Sequence, residues 1–63
     1  MPIIQVNLLQ GRSTEAKRKY AAALTKLTCE CFDAPPETVR IIFSEMAREN
    51  YAVAGTLYAD AKK

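Results

Sequence analysis

Sixty-three residues make one domain at most, spanning 1–63, and a chain this short seldom builds a self-sufficient core. Hydrophobic residues form 49% of it, yet two cysteines and no histidine supply neither a disulfide framework nor a metal-ligand set, so burial against copies of itself is expected. A net charge of +2 is too small to argue for nucleic acid and fits a modest preference for anionic ligands.

No stretch approaches the ~20 apolar residues of a membrane span, and no charged-then-apolar signal segment opens the chain. The expectation is a soluble cytoplasmic protein. The chain opens on Met1-Pro2, and a methionine followed by a small residue is normally removed. A freed Pro2 nitrogen is a secondary amine with a basic lone pair on a rigid ring. Behind Met1 the same atom is a tertiary amide and inert.

Ile3 to Leu9 is rich in β-branched and apolar residues and reads as a strand. Ile4, Val6 and Leu8 fall on one uniformly apolar face that should meet a helix. Ile3, Gln5, Asn7 and Leu9 form a mixed face suited to another subunit. Gln10 to Ser13 breaks the strand: Gly11 allows a turn, Ser13 is a good N-cap, and Glu15 in the first turn suits the helix dipole.

Thr14 to about Phe32 carries helical periodicity, with Ala16, Tyr20, Ala23, Leu24, Leu27 and Cys31 in one apolar stripe. The basic run Lys17-Arg18-Lys19 is explained by a solvated helix face at least as well as by a nucleic-acid patch. Cys29 and Cys31 stand two positions apart and point to nearly opposite sides, which excludes an easy bridge between them. Cys31 reads as core packing and Cys29 as a thiol of unassigned exposure. Asp33 to Pro36 ends the helix, because neither Pro35 nor Pro36 can continue it.

Val39 to Met46 alternates again, with Val39, Ile41 and Phe43 on one face and Arg40, Ile42, Ser44 and Met46 on the other. Two strands joined by such a helix form a β-α-β unit of the α/β class, with parallel strands and a right-handed crossover. Two strands are not a stable sheet alone, so a second chain should widen it. Ala47 to Thr56 should form a short hairpin, and Leu57 to Lys63 is too short for structure of its own. In a parallel pair both strands begin at the same edge, which puts Pro2 near the Val39-Arg40 entry. A guanidinium one residue into an apolar strand must be paired, open to solvent, or await an anion. The plain alternative to ligand binding is an ion pair with Glu37, Glu45 or a neighbour's carboxylate.

Taken together, Pro2, the apolar strand after it, Leu9-Gln10-Gly11-Arg12-Ser13, Asp33-Ala34-Pro35, Val39-Arg40-Ile41-Ile42 and Glu45-Met46-Ala47 resemble the 4-oxalocrotonate tautomerase family. The resemblance runs from Pro2 to about Gly55. It implies a small β-α-β subunit in a homo-oligomer, most often a hexamer, with intersubunit sheets. It also implies an isomerase of the 2-hydroxymuconate tautomerase type, working in aromatic degradation on a small carboxylate substrate without cofactor or metal. By the same resemblance Pro2 is the general base, Arg12 and Arg40 bind the substrate's carboxylate and carbonyl groups, and Tyr51 lines the apolar part of the pocket.

Elementary chemistry agrees with those roles. An α-amine has a reference pKa of about 7.7–8.0, and neighbouring arginine charges and burial both disfavour its cation. Arginine offers fork-shaped donors to a carboxylate and to negative charge growing on an enolate oxygen. The family's glycine-rich turn is replaced here by Glu49-Asn50-Tyr51-Ala52-Val53-Ala54-Gly55, and loss of glycines at 52 and 54 predicts a changed hairpin. Two other functions remain open from the sequence. One is water addition or dehalogenation on unsaturated acids, with the same proline acting as an acid. The other is a non-catalytic oligomeric binding module.

Overall fold

The alternating apolar face of the first strand is the face that the helix covers. In the computed structural model, which describes residues 1–61, strand β1 spans Ile3–Leu9 with Ile4, Val6 and Leu8 half-buried. Helix α1 spans Thr14–Phe32; Ser13 caps it, its Oγ accepting from the Ala16 N–H at 3.0 Å. Asp33 closes the helix in the left-handed region (φ 53°), and its N–H returns to the Cys29 carbonyl. A single 3-10 turn at Pro36–Thr38 leads into strand β2, Arg40–Met46. Val39, expected as the first strand residue, instead donates its N–H to the Pro36 carbonyl at 3.1 Å, so that group is spent closing the turn.

β1 and β2 pair in parallel, from Ile3 opposite Arg40 to Leu9 opposite Met46. A second 3-10 turn, Arg48–Asn50, precedes a hairpin of β3 (Ala52–Val53) and β4 (Thr56–Leu57), and a one-turn helix α2 covers Tyr58–Ala61. The hairpin forms as expected. The unstructured tail does not: Leu57 ends β4 and residues 58–61 are helical, while Lys62 and Lys63 lie outside the described residues. Ala52 sits in a strand and needs no glycine. Ala54 and Gly55 form the two-residue tip with φ 54° and 85°, so an alanine here adopts the left-handed region that a primed turn demands.

The helix is turned away from the arc its apolar stripe suggests. Its half-buried or buried residues include Lys17, Ala21, Leu24 and Thr28, an arc rotated by about 100° from Ala16-Tyr20-Ala23-Leu27. Lys17 Nζ bonds Glu45 of β2 at 2.6 Å, small Ala21 allows close approach, and Thr28 satisfies its hydroxyl on the Leu24 carbonyl at 2.8 Å. Of the predicted stripe only Leu24 turns inward. Tyr20 (47% exposed) touches Phe43 edge-on, Leu27 is 55% exposed, and Cys31, read from sequence as core, is exposed while Cys29 is half-buried.

Among the described residues Thr28 alone is buried, and no hydrophobic side chain is. The radius of gyration is 14.9 Å, in a body of 43 × 24 × 14 Å. A compact chain of this length would measure roughly 10.6 Å. The protomer is therefore an open slab with apolar surface on the helix and both ends of the sheet. No described helix is long and apolar enough to cross a membrane.

Candidate active site

Parallel pairing fixes which predicted residues can meet. The Arg40 N–H donates to the Pro2 carbonyl at 3.0 Å, one step beyond the Ile3–Arg40 pair, so these two residues are locked together where both strands begin. The Pro2 nitrogen is acylated by Met1, whose side chain is 71% exposed. The Arg40 side chain is exposed, and its one hydrogen bond is a long 3.4 Å contact from Nη1 to the Thr38 carbonyl.

Arg40 makes no ion pair among the described residues. Glu45 lies five residues along the same strand, an odd separation that places it on the helix side, where Lys17 holds it. Glu37 makes no ion pair among the described residues either. The guanidinium is left open to solvent or to an incoming anion.

Arg12 and Tyr51 stand at the other end of the sheet. Gly11, with φ 124°, turns the chain out of β1 and delivers Arg12 to a groove of about 240 Å³ lined by Val6, Leu8, Ala16, Tyr20 and Phe43. Arg12 makes no ion pair among the described residues. Tyr51 borders a second hollow, of about 280 Å³, with Asn7, Leu9 and Met46, and Leu8 reaches both hollows. The seven residue steps from Pro2 to Leu9 separate the two ends by about 23 Å at a parallel-strand rise of 3.3 Å per residue. One protomer therefore joins Pro2 to Arg40, and places Arg12 and Tyr51 in two separate hollows at the far end of the sheet. It cannot bring the four together.

Two residues near Tyr51 escaped sequence analysis. The Tyr58 ring packs at 6.0 Å from the Tyr51 ring, tilted by 58°, and the Arg48 guanidinium lies over the Tyr58 ring at 5.3 Å from its centre. The signal was available: with Ala54-Gly55 as the tip, positions 53 and 56, then 52 and 57, then 51 and 58 face each other.

Residues 2–61 match the family model described as tautomerase enzyme. The chain belongs to the tautomerase family. A 2-hydroxymuconate tautomerase of Pseudomonas putida is 33% identical over 63 residues, the full length of both chains. Among solved structures, a 4-oxalocrotonate tautomerase isozyme of Methylibium petroleiphilum superposes with a TM-score of 0.93 at 43% identity, over 97% of this chain and 95% of its own. A heterohexameric 4-oxalocrotonate tautomerase from Chloroflexus aurantiacus gives 0.90 at 34% identity, over 98% and 100%. The expected β-α-β tautomerase subunit is thus the fold this chain has.

Proposed function

We propose that this tautomerase transfers a proton between the enol oxygen and a carbon of a 2-hydroxydienoate or related 2-oxo acid, with the Pro2 amine as base once Met1 is removed. The observation that carries this is Arg40, whose N–H bonds the Pro2 carbonyl and whose exposed guanidinium pairs with no carboxylate among the described residues. Pro2 takes the hydroxyl proton, electron density moves through the conjugated system, and the prolinium returns the proton to carbon. Negative charge on the oxygen peaks between those steps, and a guanidinium beside it stabilises that state more than the substrate. No cofactor is needed, because one nitrogen both accepts and returns the proton.

The separation of the two sheet ends supports a site shared between subunits. A two-fold axis normal to the sheet sets two copies antiparallel, so the Pro2 end of one lies beside the Arg12 and Tyr51 end of the other. Arg12 then holds the distal carboxylate and Tyr51 forms the wall along the conjugated chain. Exposed apolar surface on every side of the slab favours further association, and a hexamer of a cytoplasmic enzyme, like the heterohexameric neighbour, is the assembly we assign.

Intact mass of the purified chain, followed by ketonisation assays on 2-hydroxymuconate and phenylenolpyruvate, tests this. Processed protein should turn over at least one of them. Equal turnover by chain that keeps Met1 on every molecule rules out the Pro2 amine as base.

A further inference from the structure

The aromatic wall at Tyr51 has a support that the proposed chemistry does not use. Tyr51 is 44% exposed, and an isolated tyrosine there would be free to swing about two side-chain torsions. It is not isolated. The Tyr58 N–H donates to the Tyr51 carbonyl at 2.7 Å, which continues the β3–β4 ladder by one pair. The Tyr58 ring, half-buried, meets the Tyr51 ring in the tilted geometry that aromatic quadrupoles favour. Arg48, from the 3-10 turn before the hairpin, covers the Tyr58 ring with its guanidinium. Arg48 has no ion pair among the described residues, so this ring face is where its charge is directed.

We infer that Tyr58 and Arg48 are positioning residues that hold the Tyr51 ring as a fixed flat wall and so set the preference for planar aryl or conjugated substrates. This rests on Tyr51 facing the shared site, as proposed above. The three side chains form a stack in which each limits the next. Arg48 fixes Tyr58, Tyr58 fixes Tyr51, and Tyr51 meets the hollow beside Asn7, Leu9 and Met46. Neither supporting residue touches the reacting atoms, so losing one should weaken substrate binding and leave the proton transfer itself alone. An aryl substrate lies flat against the wall and loses most. A dicarboxylate dienoate, anchored at both ends by arginines, loses less.

The test is kinetics of Tyr58→Ala, Tyr58→Phe, Arg48→Ala and Arg48→Lys on phenylenolpyruvate and 2-hydroxymuconate, with sizing of each variant. The backbone bond from residue 58 to Tyr51 survives all four substitutions, which isolates the side-chain effect. Tyr58→Ala should raise KM for phenylenolpyruvate by about two- to twelvefold, the range an aromatic pair supports, with kcat and the pH profile unchanged. Tyr58→Phe should restore it, since the ring and not the hydroxyl supports Tyr51. Arg48→Ala should raise it about two- to fivefold, with Arg48→Lys between that variant and the parent. Unchanged KM in Arg48→Ala and Tyr58→Ala overturns the inference, and so does Tyr58→Phe as impaired as Tyr58→Ala. If Tyr58→Ala fails to assemble, Arg48→Ala and Tyr58→Phe decide.

Binding of cinnamate, measured by calorimetry on the same proteins, separates this inference from the catalytic proposal. If the processed parent is inactive on both substrates while cinnamate affinity follows the same order of variants, the base assignment fails and the positioning role stands. If the parent is active and cinnamate affinity is the same throughout, the positioning role is wrong.

Discussion

The two ends of the parallel sheet are built on different principles. Where the strands begin, Pro2 and Arg40 are held by strand register and one backbone hydrogen bond, with the Arg40 side chain exposed. Where the strands end, Arg12 lies between a glycine turn and a capped helix, and Tyr51 stands at the base of a hairpin beside the tilted ring of Tyr58. The first end is exposed and chemically simple; the second has shaped hollows. On the proposed function, reaction belongs to the first and recognition to the second, and about 23 Å of strand keeps them apart within a chain. A β-α-β unit of this size supplies both halves of a site but only assembly can join them.

The largest effect should come from the start of the sheet. Blocking the Pro2 nitrogen by retaining Met1 should lower kcat/KM by about 10²- to 10⁴-fold, the usual contribution of a positioned base. Steady-state assays on protein of verified mass measure it, and a loss under tenfold would place the base elsewhere.

Arg40→Ala comes next. Removing a charged donor from developing enolate charge should lower kcat and weaken binding, at a cost of about 2–4 kcal/mol of transition-state stabilisation. The lost positive charge also raises the pKa of the prolinium, so the lower limb of the pH–rate profile should move upward. If kcat and that limb both stay where they are, Arg40 is structural.

Complementation addresses the separation of the two ends directly. Arg12→Ala should raise KM, most for diacid substrates, by removing one charge-assisted contact. A refolded equal mixture of Met1-retaining and Arg12→Ala chains should then regain activity, because about a quarter of randomly assembled shared sites receive both a free Pro2 and an intact Arg12. Activity of the mixture no higher than the mean of its components means that each site is built within one chain.

The smallest effect concerns the hairpin tip. Ala54 holds φ 54°, a conformation costly for a residue with a β-carbon. Ala54→Gly should stabilise the protein by up to about 1 kcal/mol, seen as a higher denaturation midpoint at equal slope and equal protomer concentration. A lower midpoint shows that the turn gains more from alanine's restricted unfolded state than it loses to strain.

Much of this molecule was legible before any coordinates, and the legible part is local. The two strand faces, the Ser13 cap, the break at Pro35 and the hairpin all follow from interactions among residues close in sequence. The meeting of Pro2 with Arg40 follows from one further step, the parallel pairing that a helical crossover imposes. Tyr58 is seen only once the hairpin register is extended past Leu57, because its partner lies seven residues back across the Ala54-Gly55 tip.

By itself the sequence determined the bounds of β1 and α1, the break at Pro35 and which strand faces are apolar, because caps, prolines and alternation act over a few residues. Tertiary structure decided which arc of α1 lies on the sheet. The stripe of Ala16, Tyr20, Ala23 and Leu27 is the more apolar one, yet the narrow two-stranded sheet receives Lys17, Ala21, Leu24 and Thr28, through the Lys17–Glu45 pair and the small side chains beside it. It also decided that Glu45, which alternation along β2 places on the face opposite Arg40, is taken by Lys17. A helix's rotation and an arginine's partner depend on what stands across a gap in space, and that is set by the packing of whole elements against one another.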